Sequence, residues 1–221
     1  MLKTRNVLAV LALVLTFVVA SPVRAAVISI AEARSLPAGT VVTVEGSVTV
    51  PSGDFASSTF DQGFGLQDET AGIYVSTSDN PNLNDNRHVR VTGTVGDDGF
   101  GLTVLRPASL ADVQTLPGAS AVAPTPVATG DVSEATEGLL VEVTGVLSRP
   151  IVNDLPYGYQ VFIDDGSGET QVFIPASTGI NPFNIPFLQR GTAITATGYS
   201  GQFLSQYEVL PRRRGDIRPA H

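Results

Sequence analysis

The 221-residue chain has no cysteine and no tryptophan, and its single methionine is its first residue. Without cysteine there is neither a disulfide nor a thiolate metal site, so buried apolar area must hold the fold together. Lysine occurs once, at Lys3, and histidine twice, at His88 and His221. Their scarcity removes the usual general bases and most of the cations that a phosphate-binding groove needs. No serine sits in a Gly-x-Ser-x-Gly elbow, and a metal-dependent nuclease would need convergent carboxylates with a histidine or lysine. Together these absences leave a hydrolase without its parts. The chain is expected to be no enzyme, with no catalytic residue, no cofactor and no metal.

Only one long apolar run is present. Lys3 and Arg5 precede Val7 to Ala20, which is apolar apart from Thr16; Ser21-Pro22 breaks it, and Val23-Arg24-Ala25 supplies small residues at a cleavage site. This pattern is that of a secretory signal peptide over residues 1–25. As a membrane anchor it falls short of the ~18–20 residues needed to span a bilayer. The mature product is expected to be secreted or periplasmic, with no membrane span. Cleavage removes Lys3, Arg5 and Arg24 and no acid, which takes the formal charge from −8 to −11 and leaves no lysine. Such acidity favours solubility and opposes tight, non-specific nucleic-acid binding.

What remains is one pattern written twice. VVTVEGSVTV from Val41 answers LLVEVTGVLS from Leu139, GFGLQDETAGIYVSTS from Gly63 answers YQVFIDDGSGETQVFIPAS from Tyr159, and RHVRVTGTVGDDGFGLTVLRP from Arg87 answers RGTAITATGYSGQFLSQYEVLP from Arg190. Each copy reads as five short alternating strands with a connector after the third. In the first, a helical lead-in over 28–34 precedes strands at 41–50, 63–67, 72–76, 89–95 and 100–105. In the second, Asp131 to Gly138 reads as a capped turn, followed by strands near 139–149, 158–164, 169–175, 192–199 and 203–210. Residues 26–115 form the first unit and 131–221 the second, with a basic C-terminal tail. Residues 116–130, with three prolines, read as an extended linker.

A long bent first strand and a connector between strands three and four match the plan of a five-stranded OB barrel. VEGSVTV with GFGLQDETAGIYV, and above all TPVATGDVSEATEGLLVEVTGVLS with VFIDDGSGETQVFI, resemble the OB-fold domains of bacterial secreted proteins, including modules appended to extracellular nucleases. The resemblance spans nearly all of the mature chain and implies an all-β fold of two tandem OB-like barrels. OB-folds bind oligonucleotides, oligosaccharides or proteins, so the resemblance leaves the ligand open. Single-stranded nucleic acid is the ligand class it implies first, while composition argues against it. The rival is a cell-envelope structural or interaction module that binds protein or polysaccharide. Oligomeric state stays open.

The candidate ligand residues lie in the second copy. Across strands two and three and their flanking loops, the surface draws on Arg149, Asn153, Tyr157, Tyr159, Tyr199 and Phe203, with Tyr157 and Tyr159 placed on one face by their i, i+2 spacing. Exposed rings there would stack on bases or sugars. In the first copy the same surface draws on Phe60, Phe64, Tyr74, Arg87 and Phe100. Phe64, Phe162 and Phe173 are the rings expected in the cores. Arg212-Arg213-Arg214, with Arg218, is the one basic run, and reads either as a solvated tail or as a grip on phosphate or an anionic envelope polymer. Asp164-Asp165-Gly166-Ser167-Gly168-Glu169, answered by Asp68-Glu69, reads as a hairpin turn ahead of a Ca²⁺ loop, since it lacks the EF-hand spacing. Arg214-Gly215-Asp216 spells an adhesion tripeptide too short to carry weight.

Overall fold

The computed structural model describes residues 26–55, 60–119 and 121–220; the signal peptide expected over 1–25 lies outside them. The first copy comprises β1 (Val27–Ile28), the helix α1 (Ile30–Ser35), β2 (Val41–Val50), β3 (Phe64–Gln67), β4 (Gly72–Val75), β5 (Arg87–Asp97), β6 (Thr103–Arg106) and β7 (Val113–Ala119). The second comprises β8 (Thr125–Pro126), β9 (Leu140–Leu147), β10 (Val152–Asp154), β11 (Gly158–Asp164), β12 (Glu169–Pro175), β13 (Ala193–Phe203), β14 (Gln206–Leu210) and β15 (Ile217–Pro219).

Each copy closes into a five-stranded barrel. In barrel 1 the order is β2-β3-β4-β6-β5, with β5 paired back onto β2 from Val41↔Thr94 to Ser47↔His88. In barrel 2 it is β9-β11-β12-β14-β13, closed by β13 on β9 from Ala193↔Val146 to Tyr199↔Leu140. Only β4–β6 and β12–β14 pair in parallel within the barrels. This is the OB-like plan. The first strand must serve two partners, and a glycine lies at the changeover in both copies. A Cβ on Gly46 would lie 2.6 Å from the Gln67 carbonyl oxygen, and one on Gly145 2.9 Å from the Asp164 backbone. Inside, Val44, Leu66, Ile73 and Val91 fill barrel 1, and Val143, Ile163, Ile174 and Ile194 fill barrel 2.

The elements before and after each barrel repeat as well. β1 lies parallel on β2 and β8 parallel on β9. After each barrel, a 3-10 turn (110–112, then 214–216) leads into a strand that returns to the fourth barrel strand, β7 onto β5 and β15 onto β13. The stretch expected as a linker, 116–130, therefore begins inside β7 and contains β8 and a 3-10 turn at 129–131. The residues expected as a basic tail are likewise a turn and a strand.

The acidic turns latch each lead-in to its own barrel. The Asp68 carboxylate accepts from the backbone N–H groups of Thr70 (2.7 Å) and Ala71 (2.9 Å), and from Ile30 N–H at the start of α1 (2.8 Å). Asp165 does the same, accepting from Ser167 N–H (2.9 Å), Thr129 N–H (3.2 Å) and Thr129 Oγ1 (2.8 Å). The hydrogen bonds from Ser167 and Thr129 hold Asp165 well below the usual carboxylate range. Burial works against ionisation of Asp68, but the donors at Ile30, Thr70 and Ala71 outweigh it and lower its pKa. These turns serve the fold. Among the described residues no group of three or more His, Cys, Asp or Glu could hold a metal ion.

The two barrels meet along a packed seam. Val50, Phe55, Tyr74, Leu102 and Val104 of barrel 1 enclose Tyr199 of barrel 2, with Leu210 beside them. The Tyr199 ring lies 6.2 Å from Tyr74, edge-on, and 5.9 Å from Phe55. The Tyr74 hydroxyl lies 2.9 Å from the Phe55 carbonyl and from Asp61 Oδ1. Burying two tyrosines and a phenylalanine in this way contributes roughly 1.5–3 kcal/mol per ring. Backbone meets backbone at Gly72 and Gly138, where a Cβ on Gly72 would stand 1.9 Å from the Gly138 carbonyl oxygen. Around that contact, Glu137 Oε1 accepts from Arg34 Nη2 (3.0 Å) and Thr103 N–H (3.1 Å), Leu140 N–H donates to Gln67 Oε1 (2.8 Å), and Arg212 Nη1 donates to the Thr49 carbonyl (2.8 Å). Because the seam covers its outer side, β2 is buried on both faces beyond Glu45, where alternation alone predicts a half-buried strand.

Two outcomes are expected from the seam. Gly72→Ala must push the Gly138 backbone away and should destabilise the chain by about 1–3 kcal/mol in urea unfolding. Arg34→Ala leaves the Glu137 carboxylate buried without its cation, which costs about 3–5 kcal/mol. Burial already raises the Glu137 pKa against the pull of Arg34. The loss on Arg34→Ala should therefore be smaller at pH 5 than at pH 8, because Glu137 can then take up a proton.

Candidate ligand-binding face

An OB barrel offers its ligand the outer face of strands two and three, between the loop after strand one and the hairpin joining strands four and five. Barrel 1 spends that face on the seam. At its centre stand Val50, Gly65, Tyr74 and Val104, all buried or lying under Tyr199. The equivalent positions of barrel 2, set by the pairings Tyr74↔Val104 and Gln171↔Glu208 and by the strand count from Gly46 and Gly145, are Arg149, Phe162, Gln171 and Glu208. Barrel 2 keeps that face out of the seam and builds it from polar and aromatic groups, with Arg149 exposed and Phe162, Gln171 and Glu208 buried beneath the surface.

The face is pre-ordered. The Arg149 guanidinium lies over the Phe162 ring, 3.4 Å from its centroid, and pairs with Glu169 at 2.5 Å. Gln171 Nε2 donates to Glu208 Oε2 (2.8 Å), and Gln160 Nε2 donates to Asp154 Oδ2 (3.1 Å) on β10. Burial pushes the Glu208 carboxyl up to about 8, with Gln171 holding it down and Asp154 adding to the rise. Burial thus favours the uncharged carboxylic acid at Glu208. Phe173, directly across from Gln160, shares this face. At the rim, Phe60 from barrel 1 and Tyr157 from barrel 2 are both exposed, with ring centroids 6.3 Å apart.

The eight residues expected to bind ligand do not form one surface. Arg149 lies on the face and Tyr157 at its rim. Tyr159 does not share a face with Tyr157: β11 starts at Gly158, after a turn with a cis Leu155–Pro156 peptide, and Tyr159 points into the barrel core against Phe183. Tyr199 faces outward from barrel 2, but into the seam. Phe203 stacks on Phe100 of barrel 1 at 5.3 Å, where the two strand-four-to-five hairpins touch. β13 runs on to Phe203 and turns at Leu204, so Phe203 ends a strand instead of starting one. Arg212 is tied to Asp216 through Nε (2.9 Å) and Nη2 (3.1 Å), and Arg213 pairs with Asp85 of barrel 1. Arg214 is exposed and makes no ion pair among the described residues. Asp216 is buried and also accepts from Arg212 N–H (3.0 Å), so Arg214-Gly215-Asp216 is no adhesion loop. Of the rings expected in the cores, Phe64 and Phe162 are buried, Phe162 on the outer side of β11 beneath Arg149, whereas Phe173 is half-buried on the outer face.

Sequence reasoning missed Gln160, Gln171 and Glu208. The signal was available: aligned on their turns, the copies place Tyr74 against Gln171 and Val104 against Glu208, a change from apolar to polar on an outward face.

No family model matches the chain, and no curated protein matches it. Solved structures similar to it include a murine DNA-binding protein bound with double-stranded DNA (12% identity, 81% of this chain and 96% of that one, TM-score 0.42). Others are the Ifi202 HINa domain in complex with a 20 bp double-stranded DNA (11%, 79% and 93%, TM-score 0.37) and a replication protein A heterotrimer bound to single-stranded DNA (11%, 90% and 70%, TM-score 0.30).

The raised Glu208 pKa makes a pH prediction. The folded chain holds this proton up to about pH 8, whereas an unfolded glutamate releases it near 4.5. The contribution is therefore present in full below pH 4.5 and is lost progressively as pH rises to about 8. Glu208→Gln should flatten that part of the stability–pH curve, measured by urea unfolding from pH 4 to pH 9. An unchanged slope would remove the assignment.

Proposed function

We propose that this chain is an exported, non-catalytic binding module that holds a neutral or weakly charged polymer, an oligosaccharide in the first place, across the outer face of barrel 2. One observation carries the reading: where barrel 1 packs apolar Val50, Tyr74 and Val104 under Tyr199, barrel 2 sets an exposed Arg149 over a buried floor of Phe162, Gln171 and Glu208. The Arg149 guanidinium and the half-buried Gln160 amide suit hydroxyl groups, and Phe173 and Tyr157 offer apolar planes to sugar rings. Charge disfavours a phosphodiester. Asp154 and Glu169 border the face, and six of the ten arginines beyond residue 25 are already in ion pairs with carboxylates. Export is supported by the pattern of residues 1–25. A non-catalytic role is supported by the fate of the buried titratable groups: Glu137 and Tyr199 are locked in the seam.

A second reading, single-stranded nucleic acid, is favoured by the exposed pair Phe60 and Tyr157, which would stack bases at about 1–3 kcal/mol each. The two readings separate on salt. A glycan array followed by tyrosine-fluorescence titration should find an uncharged oligosaccharide whose affinity changes less than about twofold between 20 and 200 mM salt. Phe162→Ala and Gln171→Ala should each weaken it by about tenfold. Binding of oligo(dT) that falls steeply with salt, and is lost in Phe60→Ala with Tyr157→Ala, would establish the nucleic-acid reading instead. Binding of either ligand that persists in all three variants would sink the assignment to this face.

A further inference from the structure

A second concave surface lies away from the strand face, between the β12–β13 connector and the turn that follows β14. It is a depression of about 390 Å³ lined by Thr178, Asn181, Asn184 and Ile185 on one side and by Arg212, Arg213 and Arg214 on the other. The connector wall is held by its own turns. Asn181 caps the 3-10 turn Pro182–Asn184 by accepting from Phe183 N–H (3.0 Å), and Ile180 and Ile185 root it in the core of barrel 2. The arginine wall is held too, because Asp216 fixes Arg212 and Asp85 fixes Arg213.

Charge and composition decide what fits. Among the described residues no carboxylate lines the depression. Asp216 pairs with Arg212 and Asp85 with Arg213, and Asp54 lies in the field of both, so among the described residues Arg214 is the arginine of this wall without an ion pair. A single charge matches a carboxylate better than a phosphate, which carries about −1.5 to −2 on a monoester at neutral pH. A guanidinium also meets a carboxylate through two parallel hydrogen bonds. Across from it, Thr178, Asn181 and Asn184 are small uncharged polar groups suited to hydroxyls, over an aliphatic floor. A volume near 390 Å³ falls at the lower end of small-ligand sites.

We propose that this depression is a binding site for an acidic sugar, its carboxylate on Arg214 and its hydroxyls toward Asn181, Asn184 and Thr178. It rests on none of the strand-face residues, so it stands or falls independently of the reading above.

The test uses the full mature chain, titrated calorimetrically with glucuronate, glucose and inorganic phosphate at constant ionic strength. Glucuronate should bind, with glucose and phosphate at least about tenfold weaker. Arg214 is exposed and without an ion pair, so Arg214→Ala should leave the melting temperature of the free protein unchanged. It should nevertheless weaken glucuronate by about tenfold or more, the loss expected for a charge-assisted pair. Asn184→Ala should weaken it less, and Phe162→Ala should leave it untouched. The proposal is overturned if glucuronate does not bind, if phosphate binds as tightly, or if Arg214→Ala binds within twofold of the parent.

Discussion

Tyr199 placed against Tyr74 and Phe55 is the contact on which the rest of this molecule depends. Two OB-like barrels on one chain could swing on their connection, but here one barrel's outer face is filled by a ring from the other. Gly72 and Gly138 let the backbones approach closely enough for that ring to be enclosed, and Arg34 with Glu137 closes the edge. Everything the surface offers follows from this. The seam uses up one ligand face, leaves the other, brings Phe60 to the rim beside Tyr157, and sets Arg213 against Asp85 of the other barrel.

Electrostatics inside and outside pull in opposite directions. The latches at Asp68 and Asp165 are ionised and held so by backbone donors, whereas burial drives Glu137 and Glu208 toward their protonated forms. Moderately acidic conditions therefore relieve the interior without opening the turns, and also reduce the self-repulsion of a chain at −8.

The fold was largely legible in the sequence because its signals are local. Alternating valines from Val41 to Val50, the Asp-Asp-Gly-Ser-Gly turn and the repeated glycine of the first strand each depend on near neighbours, and the strands expected at 158–164 and 169–175 coincide with β11 and β12. The candidate site was legible only in part, because its residues are sorted by a contact between copies. Strand parity puts Tyr199 on the outside of its barrel, but nothing local says that Tyr74 covers it. The i, i+2 argument for Tyr157 and Tyr159 failed because only Tyr159 lies in the strand. The arginine run was readable in one further way: Pro211 to Ile217 aligns with Pro107 to Val113, and the shared Asp112 and Asp216 mark the same turn.

The seam is a head-to-tail joint: barrel 1 gives its strand face, and barrel 2 answers with a different surface, the flank of β13. A joint of that kind does not close on itself. Repeated from molecule to molecule, with the free face of barrel 2 gripping the flank of the next chain, it would run on as a filament. Gln171 and Glu208 stand where Tyr74 and Val104 make the joint in barrel 1, and a tyrosine ring set against them would meet an amide and a carboxyl bonded to each other in place of an apolar surface. The polar pair that distinguishes barrel 2 from barrel 1 thus also removes the apolar surface on which the joint is made.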